Sequence, residues 1–371
     1  MLSHDYKARF NSTVIEINLA NIAKNYNTIR KKLNPNVKCA AMVKGNAYGI
    51  GAIPISNALT HAGCEDFWVS NVDEAIILRK ECKKANIYVL HGMMCNESCK
   101  VCTEYNFMPI LNDFFQLELW ETHAKNTNNQ LPCILNIDTG IGRLGFERNA
   151  LIENVLMETN YRKHLNFLYI MSHLACSSDK EHYLNSFQLN EMKQLLQQFP
   201  NIKITLSDSA GIFLGKDYHF DMVRPGGSLY GVNPTAFKKN PMLNVVTLKA
   251  GILQRRVMKT EQNVGYKATY TAKKGDRLLI LEYGYHDGYF RSLSNKSYCY
   301  AEGYLLPIIG IISMDVLVVD ANKLPEELFH TIEFVELMGK NIRVEEVAKY
   351  ANTDEREIFS QLDNRCKRIY K

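Results

Sequence analysis

The chain has 371 residues, of which 46% are hydrophobic and 22% are charged, and its formal net charge at pH 7 is +5. This composition is typical of a globular protein with a sizeable core, and it excludes a largely disordered chain. Acidic and basic residues are interleaved, and no Lys/Arg block of the kind found in nucleic-acid binders occurs. We expect no nucleic-acid partner, and phosphorylated small molecules stay open as ligands.

The amino terminus predicts a cytoplasmic protein without membrane contact. Residues 1–9 carry charges where a signal peptide needs an apolar core, and no apolar run reaches transmembrane length. Ten cysteines in a chain without a secretion signal are expected to be reduced thiols, most of them small core residues.

Strand and helix patterns alternate through the first part of the chain. A short strand at 14–17 is followed by apolar residues at helical spacing from Leu19 to Leu33, and then by an apolar strand that leads into Lys44. Counting from this lysine strand, we predict eight strands, at 37–42, 67–70, 87–90, 108–111, 132–137, 165–171, 202–206 and 220–223.

Polar and glycine-rich residues follow these strands, which predicts a (β/α)8 barrel with its site at the carboxyl-terminal face. A doubly wound sheet is the main competitor, but it would bind ligands at one switch point and use fewer strand ends. After about residue 240, short β-rich runs between Gly and Pro replace the helical spacing. We therefore predict a barrel over 1–240 and a mainly β domain over 241–371. The first strand of the barrel range is expected to lie partly on the side of the second domain.

Lys44 lies where a strand ends and a segment with three glycines begins. A partly buried amine loses its proton and becomes nucleophilic, so Lys44 is a candidate for Schiff-base chemistry. An ordinary exposed lysine before a turn is the alternative, and this stretch alone favours it.

Two further strand ends carry serine and glycine. The segments 207–211 and 224–228 follow the seventh and eighth strands, where barrels often bind phosphate through backbone N–H groups. Ordinary turns use the same residues, so each segment alone is a weak signal. His173, also at a strand end, could stack on a ring, act as a base or simply pack.

Three cysteines raise the alternative of radical chemistry. Cys95, Cys99 and Cys102 have a spacing that can bind three irons of a four-iron cluster. The same spacing places the thiols on one face of a helix, and this segment follows a strand in a helix position. We therefore favour a buried thiol face, and no metal is expected.

Taken together, the motifs resemble those of alanine racemases, pyridoxal-phosphate enzymes built from a barrel and a β domain. Eight motifs occur in the family's order over nearly the whole chain: VKGNAYG at Lys44, DTGIGRLGF at Asp138, SHLACSSD at Ser172, SDSAG at Ser207, VRPGGSLYGVNP at Val223, VGYKATYTA at Val264, GYHDGYFR at Gly284 and SMD at Ser313.

The resemblance implies a two-base racemisation of L- and D-alanine that supplies D-alanine for cell-wall peptidoglycan. Lys44 would bind pyridoxal 5′-phosphate covalently and exchange a proton on one face of the substrate α-carbon. Tyr266, from the partner in a homodimer, would serve the opposite face. Inverting a stereocentre requires a proton acceptor on each side, and a phenol needs nearby positive charge to act as a base.

The resemblance also implies roles for other residues. Arg224 would face the pyridine nitrogen, Arg143 the cofactor and substrate, and the Met314 N–H the substrate carboxylate. Tyr285 and Arg291 would narrow the entrance, which would favour small amino acids. The remaining cofactor-binding residues would be Tyr48, His173, Ser209, Gly226 and Gly227.

Several positions depart from the family's pattern. Asn136 stands for a carbamylated lysine, Asn364 for a tyrosine that reaches the phosphate, and Asp208 for an asparagine beside the phosphate. Ile50 replaces a histidine, and Ile311 replaces an entrance arginine.

Three other functions stay open at this point. The change at Ile311 leaves room for a serine or broad-specificity racemase, and a decarboxylase of the related barrel class is weaker because it needs room for a longer side chain. A non-catalytic pyridoxal-phosphate carrier is the alternative from another class, against which the β domain and Tyr266 argue.

Overall fold

The structure is a computed structural model that describes residues 12–157, 161–235 and 238–371. The expectation for residues 1–9 lies outside these ranges. Within them, we find no helix that combines the length and the apolar character needed to cross a membrane.

The predicted barrel is confirmed. In the described chain nine parallel segments form one sheet, and two of them are halves of a single strand, which makes eight strands. The halves flank Ala40, so one pairs with the last strand and the other with the second, which closes the barrel. The strands are Lys38–Cys39 with Ala41–Met42, Asp66–Val69, Asn86–Val89, Phe107–Leu111, Leu131–Asn136, Leu165–Met171, Lys203–Thr205 and Met222–Val223.

Helices follow most of these strands, and several begin at a side-chain cap. Asn71 and Asp113, for example, accept hydrogen bonds from the backbone N–H groups of Glu74 and Gln116. The helices of this domain are Leu19–Arg30, Ala52–His61, Val72–Glu81, Asn96–Glu104, Phe114–Thr127, Arg148–Leu151 continued by the π-helical turn Ile152–Leu156, and Tyr183–Gln198. Only short 3-10 turns follow the seventh and eighth strands: Gly211–Phe213, Lys216–Tyr218 and Gly227–Tyr230.

Side chains fill the barrel interior. Trp68 and Tyr88 stack there with their ring centroids 4.7 Å apart. The other members of this buried layer are Ala40, Met42, Ile110, Ile134, Tyr169, Met171 and Met222. Because the interior is packed, a ligand has to bind above this layer, at an end of the barrel.

The predicted buried thiol face holds for two of its three cysteines. Cys99 and Cys102 are fully buried on the helix Asn96–Glu104, whereas Cys95 is exposed at its N-cap.

A mainly β second domain is also confirmed, and it takes one strand from the other end of the chain. Val14–Ile17 pairs antiparallel with Val246–Val257 and parallel with Lys367–Tyr370. The sheet order is Arg277–Leu281, Leu317–Asp320, Tyr304–Ile309, Tyr298–Ala301, Phe334–Met338, Val246–Val257, Val14–Ile17 and Lys367–Tyr370.

Three helices, Glu326–Thr331, Val344–Ala351 and Glu355–Ser360, accompany this sheet. A two-stranded ribbon, Gln262–Asn263 with Thr271–Ala272, carries the loop that contains Tyr266. The boundary at residue 240 falls between the last barrel turn and the first long strand of the sheet, and we keep it as a proposal.

Ile15 tests the contribution of the shared strand to stability. Its side chain is 0% exposed, so Ile15→Ala should lower the free energy of unfolding by about 2–5 kcal/mol and Ile15→Val by about 0.5–1.5 kcal/mol. Urea unfolding measures both. The control is Ile77→Ala, at a side chain 56% exposed, which should change the free energy by less than about 0.5 kcal/mol. Equal losses at the two positions would contradict the burial of this strand.

Candidate active site

A cavity of about 260 Å³ opens at the carboxyl-terminal ends of the barrel strands. All eight residues that the sequence suggested for cofactor binding line it: Lys44, Tyr48, Arg143, His173, Ser209, Arg224, Gly226 and Gly227. The other lining residues are Met42, Leu90, Asn136, Ile137, Ile141, Leu144, Met171, Asp208 and Arg356. We refer to this cavity as the Lys44 pocket.

The chain enters the pocket through a left-handed turn. Residues Gly45, Asn46, Ala47 and Tyr48 have φ values of 62°, 53°, 52° and 57°. For residues other than glycine this conformation costs roughly 1–2 kcal/mol each, because the Cβ atom approaches the following carbonyl oxygen. The turn brings Lys44 at its start and Tyr48 at its end into the same pocket.

Side chains from outside the turn hold it in place. The Glu74 carboxylate accepts hydrogen bonds from the Gly45 N–H and the Ser70 N–H, each at 2.8 Å. The Asn46 side-chain oxygen accepts one from the Ala52 N–H, also at 2.8 Å. The turn is therefore fixed to the next strand end and to the following helix.

The pocket weakens the basicity of Lys44. Burial lowers the pKa of this amine, and the positive charges of Arg143 and Arg224 lower it further, against an opposing effect of Glu74. An amine with a lowered pKa carries more of its neutral, nucleophilic form at a given pH.

Arg224 is buried and firmly held. Its guanidinium donates to the Thr205 hydroxyl at 3.0 Å and to the backbone oxygens of Ser172 and Leu206, and it lies 5.4 Å from the centroid of the Trp68 ring. Burial lowers the pKa of Arg224 to about 10, so the side chain stays protonated at neutral pH.

His173 is neutral under the same conditions. Burial lowers its pKa to about 4, and the charges of Arg224, Arg143 and Lys44 act in the same direction although Asp208 opposes them. Its Nδ1 atom is buried without a hydrogen-bond partner among the described residues.

Ser209 lies at the end of the pocket where the sequence predicts phosphate binding. Its Oγ atom accepts hydrogen bonds from the N–H groups of Gly226 at 3.0 Å and Ser228 at 3.2 Å, and it lies 3.0 Å from the Ser228 hydroxyl. Position 226 has no room for a side chain, because a Cβ atom there would lie 2.4 Å from the Tyr48 hydroxyl oxygen. Burial raises the pKa of Tyr48 to about 12, so its hydroxyl keeps its proton.

Two charged residues flank this end. Asp208 accepts a hydrogen bond from the Gly211 N–H at 2.9 Å, and it also lines the pocket. Asp208 therefore holds the turn and also faces the pocket. Arg356, from the helix Glu355–Ser360, was missed in the sequence because the run of Asp, Glu and Arg around it is typical of an exposed helix end.

Three positions that depart from the family's pattern are accounted for by hydrogen bonds or by burial. The Asn136 amide donates to the Asn112 side-chain oxygen at 2.8 Å and to the Leu144 carbonyl at 3.1 Å. Ile50 is fully buried. The Asn364 side-chain oxygen accepts a hydrogen bond from Arg368 at 3.1 Å, and Asn364 does not line the pocket.

The remaining predicted site residues lie in the second domain and do not line the Lys44 pocket. Tyr266 is 64% exposed, Met314 51% and Tyr285 42%. Their loops contact one another: the Tyr285 N–H donates to the Ser313 carbonyl, and a Cβ atom at Gly265 would lie 3.4 Å from backbone atoms of Ile311.

Arg365 connects two of these loops. It donates to Asp315 at 2.8 Å and forms an ion pair with Asp287 at 3.3 Å. A second, exposed group is formed by Tyr266, Tyr285, Met314 and, on a neighbouring turn, Arg291. We call this group the Tyr266 cluster. The roles assigned to both groups of residues stay predictions.

Comparison with known proteins gives consistent matches. Residues 17–234 match the family model described as alanine racemase, N-terminal domain, and residues 245–370 match alanine racemase, C-terminal domain. A curated relative named alanine racemase from Rickettsia bellii is 41% identical over 90% of this chain and 82% of its own length. One of the same name from Rickettsia canadensis is 38% identical over 96% of this chain and 98% of its own.

Solved structures agree with these matches. An alanine racemase from Bartonella henselae with covalently bound pyridoxal phosphate is 36% identical and has a TM-score of 0.90, with 97% of this chain and 99% of that chain covered. A biosynthetic alanine racemase from Pseudomonas aeruginosa is 28% identical, with a TM-score of 0.89 and 98% and 100% coverage.

The ionisation of Lys44 can be tested without a cofactor. An amine-reactive reagent modifies Lys44, and mass spectrometry of the Lys44 peptide measures the rate. This rate should rise with pH, and the pH midpoint of the rise should lie below that of an ordinary lysine. Arg143→Gln should move this midpoint to higher pH, because removing a positive charge favours the protonated amine. Arg148→Gln, whose arginine pairs with Glu191 and does not line the pocket, is the control and should leave the midpoint in place. Equal shifts in both variants would contradict the local origin of the effect.

Proposed function

The chain belongs to the alanine racemase family, and from this we propose that Lys44 and Tyr266 are the two proton-transferring residues of a homodimer. The protein is a pyridoxal-phosphate-dependent isomerase that interconverts L- and D-alanine. The convergence of all eight expected cofactor-binding residues on one pocket supports the residue assignment. Supply of D-alanine to peptidoglycan stays a prediction.

The pocket has the chemistry that pyridoxal phosphate requires. Lys44 supplies an amine for the aldehyde. The Gly226 and Ser228 N–H groups and the Ser228 hydroxyl, which donate to the Ser209 Oγ atom in this structure, would become donors to a phosphate bound there. His173 lines the same pocket as a neutral ring and would pack beside the pyridine ring. The bound cofactor supplies an electron sink that makes the substrate α-proton acidic.

Lys44 would remove or return the proton on one face of the α-carbon. Its lowered pKa suits this task, because a base must lose its own proton near the working pH. The left-handed turn holds the Lys44 amine at the carboxyl-terminal ends of the strands, so the side chain needs little rearrangement before proton transfer.

Tyr266 would serve the other face, and it would do so in the pocket of the partner subunit. Its high exposure and its absence from the lining of its own pocket support this arrangement. The other members of the Tyr266 cluster would follow it, so that the Met314 N–H meets the substrate carboxylate opposite Arg143. Tyr285 and Arg291 would then narrow the entrance.

Arg224 would keep the pyridine nitrogen from gaining a proton. A protonated guanidinium can donate a hydrogen bond but cannot accept one, and its burial and fixed partners hold it in that role. The restrained electron sink would favour return of the proton to the α-carbon over side reactions.

Alanine over serine as the preferred substrate also stays a prediction, since both are small enough for a narrow entrance. The second-domain match over 245–370 favours the racemase over the non-catalytic carrier.

Sharing of the two bases between subunits predicts complementation. Lys44→Ala and Tyr266→Phe homodimers should each lose racemisation of L-alanine, and only Tyr266→Phe should keep the absorption band of the covalent cofactor. When the two are unfolded together and refolded as an equal mixture, half of the dimers are mixed and each mixed dimer has one intact site. Optical rotation should therefore show about a quarter of the wild-type rate.

The reverse arrangement gives a distinct result. If Tyr266 acted in the pocket of its own chain, both sites of a mixed dimer would be defective and the mixture would stay inactive. Refolding each variant alone controls for recovery. An unchanged rate in Tyr266→Phe would remove this residue from the mechanism.

A further inference from the structure

Arg356 has no role in the function described so far, yet it reaches the Lys44 pocket. Among the described residues that line the pocket, it is the member contributed by the second domain. A Cβ atom at Gly227 would lie 3.6 Å from its Cγ atom, so the side chain passes directly beside the backbone of that residue. Gly227 belongs to the end where the sequence predicts phosphate binding, with Ser209 and Gly226.

The helix that carries Arg356 is fixed against the lysine turn. A Cβ atom at Gly49 would lie 2.5 Å from the Phe359 carbonyl oxygen, which shows how closely the two backbones approach. Arg368, in the last strand, also donates to the Gly49 carbonyl at 2.9 Å. The position of Arg356 therefore depends on the same contact that seats the turn containing Lys44 and Tyr48.

One edge of the Arg356 guanidinium is held by a neighbour. Its Nε atom donates to Asp354 Oδ1 at 2.6 Å and its Nη2 atom to Asp354 Oδ2 at 2.5 Å. A guanidinium has five N–H donors, so three lie outside this pair. The side chain is 52% exposed and lines the pocket, so a ligand can reach it. A bidentate arginine with a second free edge is well suited to phosphate oxygens.

The charge near Ser209 gives a reason for a cation here. Asp208 lines the same end of the pocket, and a carboxylate beside a phosphate is unfavourable unless a positive charge offsets it. The hydrogen bonds to Asp354 raise the pKa of Arg356, and the negative charge of Asp208 acts in the same direction. Burial raises the pKa of Tyr48, and the positive charge of Arg356 opposes this rise, so the three groups are electrostatically coupled.

We propose that Arg356 anchors the phosphate of pyridoxal phosphate through the N–H groups that Asp354 leaves free, and that it offsets the negative charge of Asp208. The inference rests on the proposed function, since it assigns this end of the pocket to the cofactor phosphate. Asp354 is then a positioning residue that holds the guanidinium beside Gly227.

Comparison of two probes isolates the phosphate contact. Dissociation constants of pyridoxal phosphate and of pyridoxal, which lacks the phosphate, are measured on full-length apoprotein by absorbance. Arg356→Gln should weaken pyridoxal phosphate about ten- to a hundredfold, the range for a lost charge-assisted hydrogen bond, and leave pyridoxal within about twofold. Arg356→Lys should recover part of the loss, because it restores the charge without the planar fork.

Matched variants separate this effect from general ones. Arg343→Gln removes the same charge from the same domain at an arginine that pairs with Glu345 outside the pocket, and it should leave both constants unchanged. Asp208→Asn keeps the acceptor for the Gly211 N–H but removes the negative charge, so it should tighten pyridoxal phosphate and not pyridoxal.

Two outcomes would overturn the proposal: an unchanged constant for pyridoxal phosphate in Arg356→Gln, or equal weakening of both probes, which would mean that Arg356 only supports packing. Failure of the proposed function has a different signature. In that case the wild-type protein would show no covalent cofactor band with either probe, whatever residue stands at position 356.

Discussion

The left-handed turn from Gly45 to Tyr48 is the constraint on which the site depends. Lys44, the residue before the turn, and Tyr48, its last residue, both line the same pocket. The conformation is unfavourable for three of the four residues. The free-energy cost of this backbone conformation is offset by Glu74, which accepts hydrogen bonds from N–H groups of the turn and of the next strand end. The close contact with the helix Glu355–Ser360 also holds the turn.

That contact links the cofactor end of the barrel to the second domain. The first strand of the chain lies inside the second domain's sheet, and the last strand sends Arg368 to the Gly49 carbonyl. The two domains are thus joined beside the lysine as well as along the sheet.

The electrostatics of the pocket follow from this arrangement. Among the described residues that line the pocket, four are cationic, Lys44, Arg143, Arg224 and Arg356, and one is a carboxylate, Asp208. His173 is neutral because burial lowers its pKa. Burial lowers the pKa of Lys44, and the excess of positive charge lowers it further. The same positive charge suits a ligand that carries a phosphate and a substrate that carries a carboxylate. In the proposed mechanism the same cations therefore prepare the nucleophile and attract the anions it acts on.

Sequence patterns were enough for the barrel, because polar residues after each strand reflect a shared functional end. They could not give the pairing of Val14–Ile17 with strands more than two hundred residues away, since an alternating strand does not specify its neighbour. Arg356 was missed for a related reason: its local sequence describes an exposed helix end, and only the fold brings that end to Gly227. The exposure of Tyr266 is the complementary case. The motif around Tyr266 indicated chemistry, but within a single chain Tyr266 does not line the pocket that contains Lys44. The cofactor pocket therefore belongs to one chain, whereas proton transfer in the proposed homodimer requires residues of two chains.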